Sequence, residues 1–239
     1  MLPAHRLTCG LVVAGLLCLA NTSDATTITL NTTDRGFYDE TGAHFPALTN
    51  YVAGTDSTPV QTVHRNFMVF DLTGIGTILG AQLRLFNPGE DPFLGYISAD
   101  ASETYAVFDV STDIPSLLNG TGGVSAFDDL GDGTMYGSVA MSAADNGTFV
   151  EITLNGDALT ALNSAAGLFA FGGAVTTLSG AEREFVFGFS GFSGDPADGD
   201  TQIVLDTVNP VPEPGTLILL GSGFAGIFLA RYARRRKRR

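Results

Sequence analysis

The sequence is poor in the residues that most catalytic and cross-linking chemistry needs. Its 239 residues include two cysteines, three histidines, no tryptophan and one lysine, Lys237. Only 15% of the chain is charged, against roughly 25% in ordinary globular domains. Both cysteines, Cys9 and Cys18, fall in an N-terminal apolar run over residues 7–20. Once that run is removed, the remaining chain has no disulfide, thiolate metal ligand or cysteine nucleophile. Basic residues are almost absent from the middle. Residues 26–209 hold only Arg35, Arg65, Arg84 and Arg183 against 23 acids, a net charge of −19. Such a body excludes nucleic-acid binding, which requires a basic face to displace counterions. A hydrophobic content of 44% also excludes an extended disordered polymer.

The two ends differ from this body. Residues 1–25 form a predicted signal peptide. His5 and Arg6 open it, and an apolar run of 14 residues follows, too short to span a ~30 Å hydrocarbon core comfortably. Ser23 and Ala25 place small residues at −3 and −1 of a cut after Ala25, with Ala20 as a second candidate. At the other end, Pro212-Glu213-Pro214 precedes an apolar stretch and a tail of Arg231, Arg234, Arg235, Arg236, Lys237, Arg238 and Arg239. The prolines keep the junction extended. The predicted transmembrane helix covers about residues 216–232, extended at its end by Tyr232 and a snorkelling Arg231. The basic tail 231–239 acts as a stop-transfer signal on the cytoplasmic side and leaves the acidic body outside.

Pro-Glu-Pro, a short glycine-bearing apolar helix and a terminal arginine cluster, in that order over residues 208–239, closely resemble the PEP-CTERM protein-sorting domain, also described as an ice-binding protein C-terminal domain. The resemblance implies recognition by an exosortase, a membrane-embedded transpeptidase that would cut at or near Pro212-Glu213-Pro214. It also implies an association with exopolysaccharide or biofilm.

Residues 26–207 read as an acidic β-sandwich ectodomain. Short β-rich runs recur between Gly, Asp, Asn and Pro clusters. The predicted strands are 26–32, 65–72, 78–86, 103–110, 135–141, 148–154, 168–171, 184–189 and 202–205. Both faces of the 65–72 run are largely apolar, which predicts an inner strand. In 78–86, Ala81, Leu83 and Leu85 face one way and Gln82, Arg84 and Phe86 the other. One helix is expected after Asn155, over the run ALTALNSAA that stops at Gly167. The pattern predicts an all-β fold, an antiparallel jelly-roll-like sandwich with one short helix. Residues 64–86, HRNFMVFDLTGIGTILGAQLRLF, look like bacterial extracellular β-sandwich modules of the DNRLRE type, whose folds resemble carbohydrate-binding jelly rolls.

Little in the body points to catalysis. A Ser-His-Asp triad would have to use His44 or His64, and no G-x-S-x-G elbow is present. The expectation is therefore no catalytic residue and no cofactor apart from calcium. For calcium, two loops each bring together three carboxylates: Asp128, Asp129 and Asp132, and Asp195, Asp198 and Asp200. Neither completes an EF-hand, and Asp-Gly turns in solvent are the competing reading. Tyr38, Tyr51, Tyr96, Tyr105 and Tyr136 are the available rings for stacking on a sugar. The sequence thus predicts an exported, non-enzymatic surface protein, sorted by an exosortase, held at the membrane by its C-terminal helix, and then cell-surface or extracellular beside polysaccharide. A specific carbohydrate-binding module is the alternative, and a polysaccharide-active enzyme on the same fold a third.

Overall fold

A computed structural model of the chain describes residues 25–56, 61–89, 94–180, 183–188 and 198–208, all within the compact unit Asp24–Pro210. The expected signal peptide apart from Ala25, together with Asp195, Pro212-Glu213-Pro214, the helix 216–232 and the basic tail, lies outside the described residues. Among the described residues no helix is long and apolar enough to cross a membrane.

Among the described residues, eleven strands form two antiparallel sheets. The smaller contains β1 (Ala25–Asn31), β11 (Thr201–Val208), β5 (Thr77–Asn87) and β8 (Thr148–Thr153), in that spatial order. The larger runs β10 (Glu184–Val186), β3 (Ala53–Asp56), β4 (Thr62–Asp71), β9 (Leu168–Val175), β6 (Glu103–Phe108) and β7 (Met135–Met141). β2 (Asp34–Asp39) pairs with the part of β4 that β3 leaves free. With β2, β3 and β10 set aside, eight strands remain. Counted along the chain, they order as 1-8-3-6 in one sheet and 2-7-4-5 in the other. The chain changes sheet at every step except the β6–β7 hairpin, which is the double Greek key of a jelly roll.

Side-chain alternation explains why the sheets stack. Met68 and Phe70 of β4, Leu83 and Leu85 of β5, Tyr105 and Val107 of β6, and Ile203 and Leu205 of β11 all join one buried core between the sheets. Each side chain of this size contributes roughly 1.5–3 kcal/mol on burial. The residues between them on β4, Phe67 and Val69, face the other way, into a second core with Leu117, Phe127 and Leu130. β4 therefore has two buried faces, as its sequence predicts.

That second core accounts for the main departure from the sequence reading. Besides α3 (Gly156–Ser164), capped as expected by the Asn155 side chain, there are two short helices, α1 (Ile114–Asn119) and α2 (Gly123–Asp129). They occupy the β6–β7 connection and cover the outer face of the larger sheet. The Asp113 carboxylate caps α1 by accepting from Ser116 N–H, and Gly120 ends it at φ 79°. Six- and seven-residue helices are too short to show a 3.6-residue period. β2 and β3 are also absent from the sequence reading, because DRGFYD and AGTD look like turns. At Gly36 of β2, a Cβ would collide with the Phe67 ring, so glycine here reflects close packing rather than a turn.

Candidate functional site

The β6–β7 connection carries a polar crevice of about 520 Å³, lined by Asp109, Asp128, Asp129 and Asp132 with Ser111, Thr112 and Ser125 among their neighbours. The three acids of the first predicted calcium loop are thus brought together, and Asp109 joins them from the end of β6. Their roles differ. Asp129 accepts from the hydroxyl and backbone N–H of both Ser111 and Thr112, at 2.6–2.9 Å. Burial alone would raise its pKa, but these four donors outweigh burial and hold the carboxyl below the ordinary Asp value. Asp109 accepts from Thr134 N–H and Asp132 from Gly133 N–H. Arg65 comes across from β4, lies 4.4 Å over the Phe127 ring and donates to the carbonyls of Phe127 and Asp128 at the end of α2. A cation at these last carbonyls also matches the helix dipole. The crevice offers carboxylate oxygens and hydroxyls, but the described carboxylates whose oxygens converge within 4.8 Å, as a single bound ion needs, are a different group.

The second predicted loop is arranged differently. Asp198 forms an ion pair with Arg35 of β2 at 3.2 Å. Arg35 is 1% exposed. Its guanidinium also donates to the Thr49 carbonyl and the Thr201 hydroxyl, and lies 4.9 Å over the Tyr51 ring. Asp198 therefore neutralises a buried arginine. Burial first, and the Asp198 charge second, push the Asp200 carboxyl above its ordinary pKa.

A third carboxylate group has no counterpart in the sequence reading. Glu103 and Glu184 are buried, and with exposed Asp100 they bring one oxygen each within 4.8 Å of one another. Ser98 and Thr177 donate to Glu103, while Ser179 and Gly180 N–H donate to Glu184. These three residues could hold a hard cation. The bridge between Ile97 and Phe185 joins segments far apart in sequence, so no local pattern announces the group.

Neither histidine of the body stands beside this chemistry. His44 stacks on Tyr38 at 4.9 Å, with Nδ1 bonded to the Phe37 carbonyl at 2.8 Å. His64 lies on β4, buried edge-on against Phe37. Tyr38, Tyr51, Tyr96, Tyr105 and Tyr136 are all buried. Tyr38 donates to helix α1, Tyr51 to the Phe86 carbonyl, and Tyr105 to Asn66 across a glycine, Gly173, that leaves room for its ring. The tyrosines available for stacking on a sugar are thus packing residues of the core.

The ends of the body come together. β1 and β11 pair over seven residues in unbroken register, from Asn31 opposite Gln202 to Ala25 opposite Val208. Ala25, the expected signal-cleavage residue, is therefore level with the last residue of β11, four positions before Pro212. Over the segment that follows, residues 210–237, the chain matches the family model of the PEP-CTERM protein-sorting motif. The chain carries this sorting motif. The PEP-CTERM motif marks it for export and for membrane-associated sorting by an exosortase. No curated protein matches the chain.

Proposed function

We propose that this is a non-enzymatic surface or matrix protein, displayed by exosortase processing at Pro212-Glu213-Pro214 and retained beside acidic extracellular polysaccharide. The PEP-CTERM motif carries the reading. Its arginine tail stops transfer, the preceding helix holds the chain in the membrane until processing, and the jelly-roll body is left outside. Both histidines of the body are engaged in packing, and its tyrosines are inside, which favours this reading over a sugar-stacking module. Changing Pro212-Glu213-Pro214 to three alanines should leave the chain at its precursor size on a blot of the exporting cell. Conversion to the mature size at the parental rate would refute recognition at that motif.

With −19 over residues 26–209, the body repels anionic glycans unless divalent cations intervene. Calcium drawn to the acidic crevice of Asp109, Asp128, Asp129 and Asp132 and shared with glycan carboxylates would give retention without a specific sugar pocket. EDTA should then release the protein from the envelope fraction, and excess calcium should restore it. Unchanged retention in EDTA would count against cation bridging and favour a direct contact.

A further inference from the structure

A sheet edge with open main-chain groups is a template for another strand, and folded proteins guard such edges with charge, proline, bulges or a covering segment. Most edges of this sandwich are guarded. β10 is capped by the bridge between Ile97 and Phe185. Beside β2, the Phe37 carbonyl bonds to His44 Nδ1 and the Asp39 N–H donates to the Ala43 carbonyl. Asn155 covers one end of β7, donating from its main-chain N–H to the Tyr136 carbonyl and from its amide to the Met135 carbonyl. β8 carries Glu151, whose side chain is 53% exposed. Among the described residues, β1 has none of these devices. It holds no charged residue and no proline, and it pairs with β11 over seven residues without a bulge.

The hydrogen bonds fix which groups β1 leaves open. One step beyond the Asn31–Gln202 pair, the Thr32 N–H donates to the Thr201 carbonyl, and at the other end the Thr26 carbonyl accepts from the Thr207 hydroxyl. Antiparallel partners alternate between pairs that exchange main-chain bonds and pairs that do not. Thr26, Ile28 and Leu30 therefore turn their main-chain groups toward β11, and Thr27 and Thr29 turn theirs outward. Both of these threonines are exposed, and Ile28 between them is half-buried.

Thr27-Ile28-Thr29 reads the same in both directions about Ile28. A contact on a two-fold axis sets residue i against j and j against i, which this edge satisfies. In an antiparallel pair of β1 strands centred on Ile28, Thr27 of each copy faces Thr29 of the other. Their outward groups exchange four main-chain bonds, the threonines pair on the outer face, and Ile28 meets its twin on the inner face. Charge also makes β1 the seam. Residues 26–209 carry a net −19, so two copies repel over most of their surface. β1 itself is neutral, and the neighbouring Asp206 of β11 accepts from the Thr27 hydroxyl. Across the seam, the two copies of β11 lie three strand spacings apart, about 14 Å, beyond the ~8 Å screening length at physiological ionic strength.

We infer that β1 is a self-pairing edge: two copies of the chain join β1 to β1 about a two-fold axis, and their four-stranded sheets become one continuous sheet. Both outer edges of that sheet are then β8 with its Glu151, so association closes at two. The pairing depends neither on the sorting motif nor on calcium.

The test is disulfide trapping in the full-length chain, in exporting cells treated with copper–phenanthroline. Cys9→Ala and Cys18→Ala leave each variant with one thiol. Facing residues of a pair without main-chain bonds lie ~4.5 Å apart at Cα, within disulfide range, whereas diagonal neighbours lie ~7–8 Å apart. Ile28→Cys should therefore give a reducible dimer, and Thr27→Cys, although more exposed, should give about tenfold less. Adding Thr29→Pro to Ile28→Cys removes two outward donors per dimer and spares the β11 ladder. It should cut the trapped fraction about thirtyfold at low expression, as the loss of two net hydrogen bonds implies. Equal trapping at positions 27 and 28 would mean random collision and would overturn the self-pair. No dimer from Ile28→Cys would overturn it too, as would trapping that the proline leaves unchanged. A disulfide to a chain of different mass would assign the edge to a foreign strand instead. The two cysteine variants decide the question even where the proline variant fails to fold.

Discussion

Arg35→Ala should destabilise the protein by about 2–5 kcal/mol, the usual effect of truncating a large, fully buried side chain. The guanidinium is fully enclosed, whereas the Asp198 side chain is 30% exposed. Asp198 can therefore recover some hydration, but the rest of the site cannot adjust as easily. The Thr49 carbonyl and Thr201 hydroxyl lose a charged donor, and a cavity opens beside the Tyr51 ring. Arg84 provides the comparison. It pairs with Glu151 at 3.6 Å, with side chains 36% and 53% exposed, and such pairs contribute roughly 0–1 kcal/mol. Urea unfolding followed by far-ultraviolet circular dichroism reads both. Equal losses for Arg35→Ala and Arg84→Ala would count against a special structural weight for the enclosed Arg35 guanidinium.

The second large effect is a loss of stability in acid that traces to His64. Burial lowers its pKa from 6.5 to about 4, against a smaller opposing influence of Asp39 and Asp56. In the unfolded chain the imidazole takes up a proton near pH 6.5, while in the folded protein it stays neutral until about pH 4. Between these values the unfolded state binds more protons, so stability falls as the pH falls. The full interval corresponds to about 3 kcal/mol. Stability contributed in this way is present above pH 6.5 and gone by pH 4. His64→Gln should flatten the slope of unfolding free energy against pH in that window. Superimposable slopes for the two proteins, or an imidazole titrating near 6.5 by NMR, would exclude the buried neutral histidine.

Sequence periodicity revealed the sandwich but not its electrostatic interior. Ala81, Leu83 and Leu85 face the core, and Gln82 and Arg84 face away, because a half-buried strand repeats every two residues. Arg35 shows no such signal. It lies between an aspartate and a glycine, and its burial depends on Asp198, a residue 163 positions later. The same holds for Glu103 and Glu184, whose proximity comes from strand pairing rather than from a motif. The acidic crevice was half legible: Asp128, Asp129 and Asp132 are close in sequence, whereas Asp109 reaches them only because α1 and α2 fold back over the sheet. The sorting motif was the most legible part, since short linear signals carry their chemistry without a fold.

The pairing of Ala25 with Val208 has a consequence for the architecture of any longer assembly. Antiparallel partners sit about 5 Å apart, so the jelly roll begins and ends at nearly the same point. Such a body can be circularly permuted, or inserted into a surface loop of another protein, without stretching its host. The entry to β1 and the exit from β11 are thus neighbouring points at one end of the smaller sheet, so both termini of the sandwich would be tethered at a single spot.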